Sequence, residues 1–557
     1  MSLVYDKSIS KKYSNYFEPV SNLTKSFCQY SLRTSKIMPR TINKEKSWET
    51  GQVGVPLAWN EKDGIVTVDH TDSHTLVIGP TGSKKSRLVA MPLIRILGSA
   101  GESMIISDPK AEIYNRTADF LTKQNYRIFV LNLRTPMYGN RWNPLAIPYD
   151  FFIKGEIDKA YEFVNDIAEN LIHTEKSQSE PFWDNSAGSF FFGLVLLLFK
   201  YCKDFKKDRE YVHIGNVIRL RNILFSKSSG TKANLLWKYA QTDPIITSSL
   251  IGTVETANDT RAGILSTFDQ KVRMFAIQPN LLDMISDNNI DFDIISNQPT
   301  AIYLILPDEK TGYHGLVSLF IKQSYEYMIF KAQEDAVQKG FQVGSLNRRV
   351  NYVLDEFSSL PTIRDFPAMI TAARSRNIRF TLVIQSKHQL IQRYHEEADT
   401  IQTNCNNWLF LTSRELQFLE EISSMCGKIS SDNSKPILSV SALQRLDKDK
   451  GEVLLLCGRS KPCITILPDI ERYDQNCYSH IPVVLRKMKD FKELDFQLPF
   501  CEEERPPLPK HNNFTPDNTV DIDAIIAKID KKLAELDKEE EELQKSETDI
   551  TSENNSK

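Results

Sequence analysis

The chain has 557 residues, of which 41% are hydrophobic and 25% charged, and its formal net charge is −3. This length exceeds what one ordinary hydrophobic core supports, so we expect two or three globular domains. The small net charge excludes a strong overall field that would draw the whole chain to nucleic acid. The chain is far larger than domains that need disulfides for stability, so we expect its eight cysteines to be reduced thiols in a cytosolic protein, and the absence of a CxxC pair argues against a zinc site.

The charge is distributed unevenly between the two ends of the chain. Residues 1–46 carry 9 basic and 3 acidic side chains, whereas residues 521–557 carry 12 acidic and 6 basic ones. We therefore predict a basic arm at 1–48, and a Pro-rich linker with an acidic tail at 501–557. Heptad spacing in the tail is typical of a short amphipathic helix, and a solvated tail that is helical part of the time is the alternative. The heptad residues are Ile522, Ile526, Ile529, Leu533, Leu536 and Leu543.

Short apolar runs alternate with helical stretches in the first and last thirds of the chain. Several runs are apolar almost throughout, as expected for parallel strands that are covered on both faces. The alternation predicts an α/β fold with a doubly wound sheet. The predicted strands are 75–79, 103–107, 127–132, 301–306, 351–355, 379–385 and 407–412.

Between residue 150 and about 250 the strand-like runs are absent and helical spacing dominates. We interpret 151–245 as an all-α domain, inserted into a nucleotide-binding domain that is formed by 49–150 and 246–500. The most apolar segment, 190–199, is too short to span a bilayer and is predicted to be a buried core helix. The first residues contain no apolar run suited to a signal peptide.

The segment TLVIGPTGSKKS, residues 75–86, fits the Walker A pattern GxxxxGK[ST] at every position but one. In such a loop, backbone N–H groups cradle the phosphates, the lysine reaches the β- and γ-phosphates, and the Ser/Thr hydroxyl binds Mg²⁺. A predicted strand precedes the segment and a predicted helix follows it, as the motif requires. The predicted nucleotide-binding residues are Gly79, Pro80, Thr81, Gly82, Ser83, Lys84, Lys85 and Ser86.

Lys84 occupies the position of the second glycine of the motif. Glycine is used where the backbone takes a positive φ or approaches a phosphate closely. A lysine with positive φ costs about 1 kcal/mol of backbone strain, although its ammonium adds positive charge near the phosphates. We therefore expect Lys84 to weaken hydrolysis more than nucleotide binding.

A second motif, NYVLDEFSSLP, places Asp355 and Glu356 directly after an apolar strand. In many P-loop ATPases an aspartate here holds the Mg²⁺ shell and a glutamate polarises the attacking water. Gln385 ends the next apolar strand, where a polar side chain can sense the γ-phosphate or the water. An acidic turn and a capped strand end are the purely structural alternatives for these residues.

Three arginines follow in the segment AARSRNIR, namely Arg374, Arg376 and Arg379. In ring ATPases an arginine of one subunit completes the site of its neighbour. Arg374 or Arg376 is our candidate for this arginine finger, and surface arginines at a helix end are the alternative interpretation.

Together these motifs resemble the type IV coupling proteins, the TraG/TraD-like ATPases of conjugation and type IV secretion. The resemblance covers about residues 50–470 and is most specific in the block 354–390. It departs from the family at Lys84 and Ala111, where glycine is usual, and the sequence has no N-terminal membrane helices such as most relatives carry. The remaining matching segments are LVIGPTGSKKS, SDPKAEIYNRTADFL, RWNPL, PFWDNSAGSFFFGLVL, GILSTFDQKVRMFA and YHEEADTIQTNCNNWLFL.

The resemblance implies a RecA/HerA-like P-loop sheet domain with an inserted all-α domain, assembled as a homo-hexamer. It implies an ATPase that uses ATP and Mg²⁺ to drive a relaxase-bound DNA or protein substrate into a type IV secretion channel. Lys85 and Ser86 would bind phosphate and Mg²⁺, Asp355 would be the Walker B aspartate, Glu356 the catalytic base and Gln385 the polar sensor. The implied partners are single- or double-stranded DNA, a relaxase or relaxosome, and channel ATPases or membrane components. The implied location is the cytoplasm or the inner face of the cell membrane.

Two other functions are compatible with the sequence. A nucleotide-binding adaptor with little hydrolysis would dock substrates through the helical domain and the acidic tail. Lys84 supports this function, whereas the intact Asp355, Glu356 and Gln385 argue against it. A DNA translocase of the FtsK/HerA type would share the core motifs, but the DPK segment and the block after Asp355 favour the coupling proteins.

Overall fold

A computed structural model of the protein describes most of the chain between Cys28 and Phe496. The predicted linker and acidic tail at 501–557 lie outside the described residues, as does most of the predicted basic arm. The described residues are 28–32, 36–38, 53–172, 181–225, 230–307, 312–338, 340, 344–429, 432–474, 481–489 and 492–496.

The described residues contain fifteen strands, which form three sheets. In chain order they are β1 (Cys28–Ser31), β2 (Lys36–Met38), β3 (Pro56–Asn60), β4 (Ile65–Val68), β5 (Thr75–Ile78), β6 (Ser103–Asp108), β7 (Arg127–Asn132), β8 (Thr300–Ile305), β9 (Val350–Leu354), β10 (Ile378–Ile384), β11 (Asn407–Phe410), β12 (Lys428–Ile429), β13 (Asp432–Pro436), β14 (Glu452–Cys457) and β15 (Cys463–Ile466).

The largest sheet has nine strands in the order β15-β14-β11-β5-β10-β9-β6-β8-β7. The seven strands from β11 to β7 are parallel, and β14 and β15 extend the β11 edge in antiparallel fashion. Every residue of β8, β9 and β10 is buried, which explains why their sequences are mostly apolar. The seven predicted strands are those of the parallel part, so the predicted doubly wound α/β fold is confirmed.

The described residues also form eighteen α-helices. In chain order they are α1 (Met91–Ala100), α2 (Glu112–Lys123), α3 (Ala146–Lys154), α4 (Ile157–Ile172), α5 (Pro181–Asp204), α6 (Ile214–Phe225), α7 (Gly230–Ala240), α8 (Pro244–Val254), α9 (Asn258–Ile277), α10 (Pro279–Met284), α11 (Phe292–Asn297), α12 (His314–Gln338), α13 (Phe366–Ala373), α14 (Lys387–Tyr394), α15 (Glu397–Asn404), α16 (Leu416–Met425), α17 (Val440–Gln444) and α18 (Ile470–Tyr473).

The helical insert lies between β7 and β8 and contains helices α3 to α11 among the described residues. Its helices run from Ala146 at the start of α3 to Asn297 at the end of α11, and the domain bounds 151–245 stay a prediction. The long helix α5 forms its core: Phe190 packs its ring 5.2 Å from that of Phe268 in α9. Among the described helices, α5 alone is long and apolar enough to cross a membrane by length and composition. Its apolar middle is buried inside the insert, as predicted for a core helix.

A small antiparallel sheet, in the order β2-β1-β4-β3, was not predicted from the sequence. Its first two strands lie within the predicted basic arm, so part of that arm is ordered structure. Tyr30 of β1 is buried, and its hydroxyl lies 3.3 Å from the Ser99 hydroxyl of α1. The sheet therefore packs on the helix that follows the predicted phosphate loop.

We call the last described residues, 481–489 and 492–496, the strap; neither range contains a helix or a named strand. Near its start, Leu485 forms an isolated bridge with Tyr138 beyond β7. Arg486 then ion-pairs with the buried Asp283 at 3.3 Å, and Arg141 contacts the same carboxylate at 2.8 Å. This part of the strap is attached to the loop after β7 and to the last helices of the insert.

The end of the strap lies against the middle of the insert. The Leu494 N–H donates to Asn216 Oδ1 of α6 at 3.1 Å. The Phe496 ring lies 4.8 Å from the ring of Tyr201 in α5. Both strap residues are buried, so the strap connects the edge of the sheet to the core of the helical insert.

Candidate nucleotide-binding site

Three adjacent parallel strands bring the predicted site residues other than Arg374 to one edge of the sheet. The phosphate loop follows β5, Gln385 follows β10, and Asp355 follows β9, and these strands are neighbours in the order β5-β10-β9. Parallel strands share their carboxyl edge, which is where ligands bind in open α/β sheets. Segments about 300 residues apart in sequence therefore meet there, although a helical insert separates them in the chain.

The phosphate loop, residues 79–86, turns tightly from β5 into a helical segment. The Ser83 amide and hydroxyl both donate to the Pro80 carbonyl, at 3.1 and 2.7 Å. A Cβ on Gly79 would lie 2.5 Å from Ser83 Oγ, so a larger residue here would displace the Ser83 hydroxyl from its place in the loop. A single π-helical turn, Ser86–Ala90, then leads into α1, and its N-terminal end faces the loop.

Lys85, the lysine of the motif, is buried and turned onto its own loop. Its ammonium donates to the carbonyls of Gly79 at 2.5 Å and Pro80 at 3.2 Å. Burial lowers the pKa of Lys85, and the nearby carboxylates of Asp355 and Glu356 oppose that shift. The cation is thus held inside the loop, where phosphate oxygens bind in motifs of this kind.

Ser86 and Asp355 are in direct contact. The Ser86 hydroxyl donates to Asp355 Oδ2 at 2.8 Å, and the Glu356 amide donates to Oδ1 at 3.1 Å. Burial raises the pKa of Asp355 to about 6; the Ser86 hydrogen bond opposes this shift and the charge of Glu356 adds to it. A hydroxyl and a carboxylate are hard oxygen ligands of the kind that Mg²⁺ prefers, so this pair fits the predicted metal site.

Glu356 is linked to the phosphate loop through Gln385. The Gln385 amide donates to Glu356 Oε2 at 2.5 Å, and the Thr81 hydroxyl donates to Gln385 Oε1 at 3.2 Å. Glu356 has φ +55°, a left-handed conformation that costs a non-glycine residue about 1–2 kcal/mol. This chain of hydrogen bonds fixes a carboxylate beside the loop, where it can polarise a water molecule.

Asp108 joins the site, although the sequence analysis gave it no role. It ends β6, the neighbour of β9, and is only 1% exposed. The Tyr114 amide of α2 donates to Asp108 Oδ2 at 2.7 Å. Burial raises the pKa of Asp108 to about 7, the Tyr114 hydrogen bond opposes this shift, and the nearby charge of Asp355 adds to it. The signal that could have identified it is the one that identified Asp355, an aspartate directly after an apolar strand.

Lys84 adopts the backbone conformation for which glycine is suited. Its φ is +67°, next to Gly82 with φ +80°. Its side chain does not join that of Lys85, because the Lys84 ammonium lies 2.8 Å from Asp449 Oδ1 in the loop before β14. The positive charge that we expected near the phosphates is therefore paired with a carboxylate.

The model of the family "Type IV secretory system Conjugative DNA transfer" matches residues 24–436. The chain belongs to this family. The match includes the phosphate loop, the helical insert, Asp355, Glu356 and Gln385. It confirms the predicted relation to the type IV coupling proteins.

Solved structures show which fold the chain has. The unbound bacterial conjugative coupling protein TrwBdeltaN70 aligns with a TM-score of 0.52 at 14% identity, over 72% of this chain and 87% of that chain. The plasmid coupling protein TrwB in complex with ADP and Mg²⁺ aligns with a TM-score of 0.50 at 13% identity, over 76% and 89% of the two chains. At such identities the likeness establishes the fold, which is the RecA-like P-loop NTPase fold. No curated protein matches the chain.

The three arginines of the segment AARSRNIR lie apart from the phosphate loop. Arg374 pairs with Asp72 at 3.1 Å, and both residues precede strands, so they lie at the amino edge of the sheet. The seven residues of β10 span about 20 Å, which separates Arg374 from its own phosphate loop. Its role as an arginine finger stays a prediction, and one that requires a second chain.

Arg379 is a structural residue. It is buried on β10, where it donates to Asn351 Oδ1 at 2.8 Å and contacts Glu102 at 3.3 Å. Arg376 is held locally by the Ala372 carbonyl at 3.3 Å. The structure thus brings together the phosphate loop, Asp355, Glu356 and Gln385, and the catalytic roles of these residues stay predictions.

Proposed function

We propose that this protein is an ATP-hydrolysing coupling protein, which recruits a relaxase-bound DNA or protein substrate and drives it into a type IV secretion channel. The single observation that carries the hydrolytic part is the convergence at the phosphate loop. Ser86 contacts Asp355 at 2.8 Å, and Gln385 links Thr81 to Glu356. Membership in the conjugative DNA transfer family supports DNA and type IV secretion components as its partners.

Each residue of the site has a definite role in this proposal. Lys85 exchanges the loop carbonyls for the β- and γ-phosphate oxygens of ATP. Ser86 and Asp355 hold Mg²⁺, which when bound neutralises charge that develops on the transferred phosphoryl group. Glu356 polarises the attacking water, and Gln385 holds the carboxylate in place and reports the presence of the γ-phosphate. The binding of ADP and Mg²⁺ by TrwB, which has the same fold, supports ATP and Mg²⁺ as cofactors here.

Assembly as a homo-hexamer is part of the proposal. Arg374 is 47% exposed at the amino edge of the sheet, far from its own phosphate loop. Such a position suits an arginine that completes a site on a neighbouring chain. In the cell we place the assembly in the cytoplasm, at the inner face of the membrane where a secretion channel opens.

The test is ATP hydrolysis by the purified protein with Mg²⁺, with and without single- and double-stranded DNA. We expect turnover that DNA stimulates, and that Lys85→Ala and Glu356→Gln abolish. Glu420→Gln is the matched control, because it removes an exposed carboxylate from α16. Turnover that survives both site variants would overturn the proposed site.

A different outcome would favour the adaptor function. Tight ATP binding without turnover in the wild type, together with turnover in Lys84→Gly, would show that the lysine at the glycine position has slowed the site. Equal turnover with and without DNA would leave the ATPase in place but contradict DNA as the coupled substrate.

A further inference from the structure

The loop of residues 447–451, which we call the latch loop, lies beside the phosphate loop because of the strand order. β14 pairs with β11, and β11 pairs with β5, so the two loops are two strands apart. β14 runs antiparallel to β11, and its first residues therefore lie at the carboxyl edge of β5. This places the loop that precedes β14 next to the loop that follows β5.

The latch loop is fixed by its own hydrogen bonds. Asp447 Oδ1 accepts from the amides of Asp449 at 3.0 Å and Lys450 at 3.3 Å. The Asp447 amide donates to Glu452 Oε2 at 2.9 Å, which closes the loop at its base. Gly451 has φ +75°, and a Cβ there would lie 2.2 Å from the Leu467 carbonyl, so the turn requires glycine. Because these hydrogen bonds already order the loop, the contact of the Asp449 carboxylate with a partner costs little further backbone conformational entropy.

Two contacts join the latch loop to the phosphate loop. The Lys84 ammonium lies 2.8 Å from Asp449 Oδ1, and the Lys448 ammonium lies 3.5 Å from the Gly82 carbonyl. The Asp449 side chain is 76% exposed and that of Lys84 30% exposed, so the pair faces solvent. The adjacent Lys85 is instead held on carbonyls inside the loop. Two neighbouring lysines thus have separate partners on different sides of the loop.

We propose that Asp449 is a positioning residue of the nucleotide site, which holds the Lys84 ammonium away from the phosphates so that Lys85 alone engages them. This inference rests on the proposed nucleotide-binding function. Without Asp449, the Lys84 side chain is free to turn onto a bound nucleotide and add a second cation to its phosphates. The product ADP then binds more tightly and leaves more slowly, which would slow a motor that must release it in every cycle.

The test is a double-mutant cycle on the Kd of ADP in the presence of Mg²⁺, measured by calorimetry. The four proteins are wild type, Asp449→Asn, Lys84→Gln and the double variant. We expect Asp449→Asn to lower the Kd about 2- to 5-fold when Lys84 is present, which is the range of an exposed ion pair. In the Lys84→Gln background the same substitution should change the Kd by less than about 1.5-fold.

The cycle separates positioning from a simple charge effect. If Asp449 acts only through its negative field, Asp449→Asn will tighten ADP equally in both backgrounds, and the proposal is wrong. No change in either background overturns it as well. Lys450→Gln is the control for a charge removed from the same loop, because the Lys450 ammonium pairs with Asp447 inside the loop at 3.1 Å, and thermal unfolding of each variant confirms that it is folded. The effect that depends on Lys84 should shrink in 1 M salt, because the Debye length falls to about 3 Å.

The result also distinguishes this inference from the proposed function. A wild-type protein that binds neither ADP nor ATP with Mg²⁺ contradicts the proposed function and this inference together. A wild type that binds both nucleotides, but whose cycle shows no coupling between residues 84 and 449, contradicts the inference alone.

Discussion

The buried carboxyl of Asp108 should make the free energy of unfolding depend on pH. Its carboxyl is 1% exposed, and burial raises its pKa from 3.8 to about 7. Between these two values the folded state binds a proton that the unfolded state has released. The carboxyl therefore costs no stability below about pH 4, and its cost grows as the pH rises towards 7. Asp108→Asn removes this titration while retaining an oxygen that can accept from the Tyr114 amide.

The magnitude follows from the size of the pKa change. One unit corresponds to about 1.4 kcal/mol, and linkage between pKa values of 3.8 and 7 makes the folded protein lose about 2.5 kcal/mol between pH 5 and pH 8. The asparagine variant lacks this loss. The free energy of unfolding of the variant, relative to that of the wild type, should therefore rise by about 2.5 kcal/mol between pH 5 and pH 8, whatever its value at pH 5. At roughly 2 °C per kcal/mol for a large domain, the relative gain in Tm is about 5 °C.

The assay is thermal unfolding of both proteins at pH 5, 6, 7 and 8, followed by circular dichroism. The quantity that matters is the difference in Tm between variant and wild type as a function of pH. Asp158→Asn, which removes an exposed carboxylate from α4, is the matched control. A Tm difference that is the same at pH 5 and pH 8 would refute the reasoning, as would one that moves against the variant as the pH rises.

Three further predictions concern the charged residues near the sheet edges. Glu356→Gln should lower ATP turnover by about 10²- to 10⁴-fold and leave the Kd of ATP nearly unchanged, since it removes the group that polarises water and no phosphate ligand; an equal loss of binding would argue for a structural role. Arg379→Met should cost about 3 kcal/mol in urea unfolding, because it removes the nearer of the two cations beside the buried Glu102 and leaves only Arg349, at 3.9 Å, whereas the matched Arg376→Met should cost less than about 0.5 kcal/mol. Mixing Arg374→Ala chains with Lys85→Ala chains should restore part of the turnover that each lacks, because one chain supplies the arginine and the other an intact phosphate loop; mixtures as inactive as their components would contradict an arginine acting between chains.

The sequence was sufficient for those parts of the fold that depend on local patterns. β8, β9 and β10 are buried on both faces, and their apolar runs predict both the strands and their parallel arrangement. The positions of Asp355 and Gln385 could be predicted from these strands, because a polar residue at the end of such a strand lies at the shared carboxyl edge of the sheet.

Other parts depend on contacts that no local pattern records. β1 and β2 are four and three residues long and lie in a basic, polar stretch, so their pairing is determined by packing against α1. The contact between Lys84 and Asp449 joins residues 365 positions apart. It depends on β14 reversing direction beside β11, which the sequence did not reveal. The predicted end of the inserted domain at 245 stays a prediction, because helices α9 to α11 beyond it have no composition that separates them from the sheet domain.

The strap has a consequence for the order in which the molecule is made. A chain grows from its amino end, so the sheet and the insert are synthesised before the residues that join them. Arg141 and Asp283 can pair first. Arg486 is synthesised later, pairs with the same Asp283 carboxylate and donates to the Asn140 carbonyl at 2.9 Å. A chain halted at residue 480 would already contain every residue of the nucleotide site. It would lack the strap, whose residues contact both the loop after β7 and the helical insert. We expect proteases to cleave this nascent chain in the regions that the strap would contact. The full-length protein should resist cleavage there, because the strap is then bound to these regions.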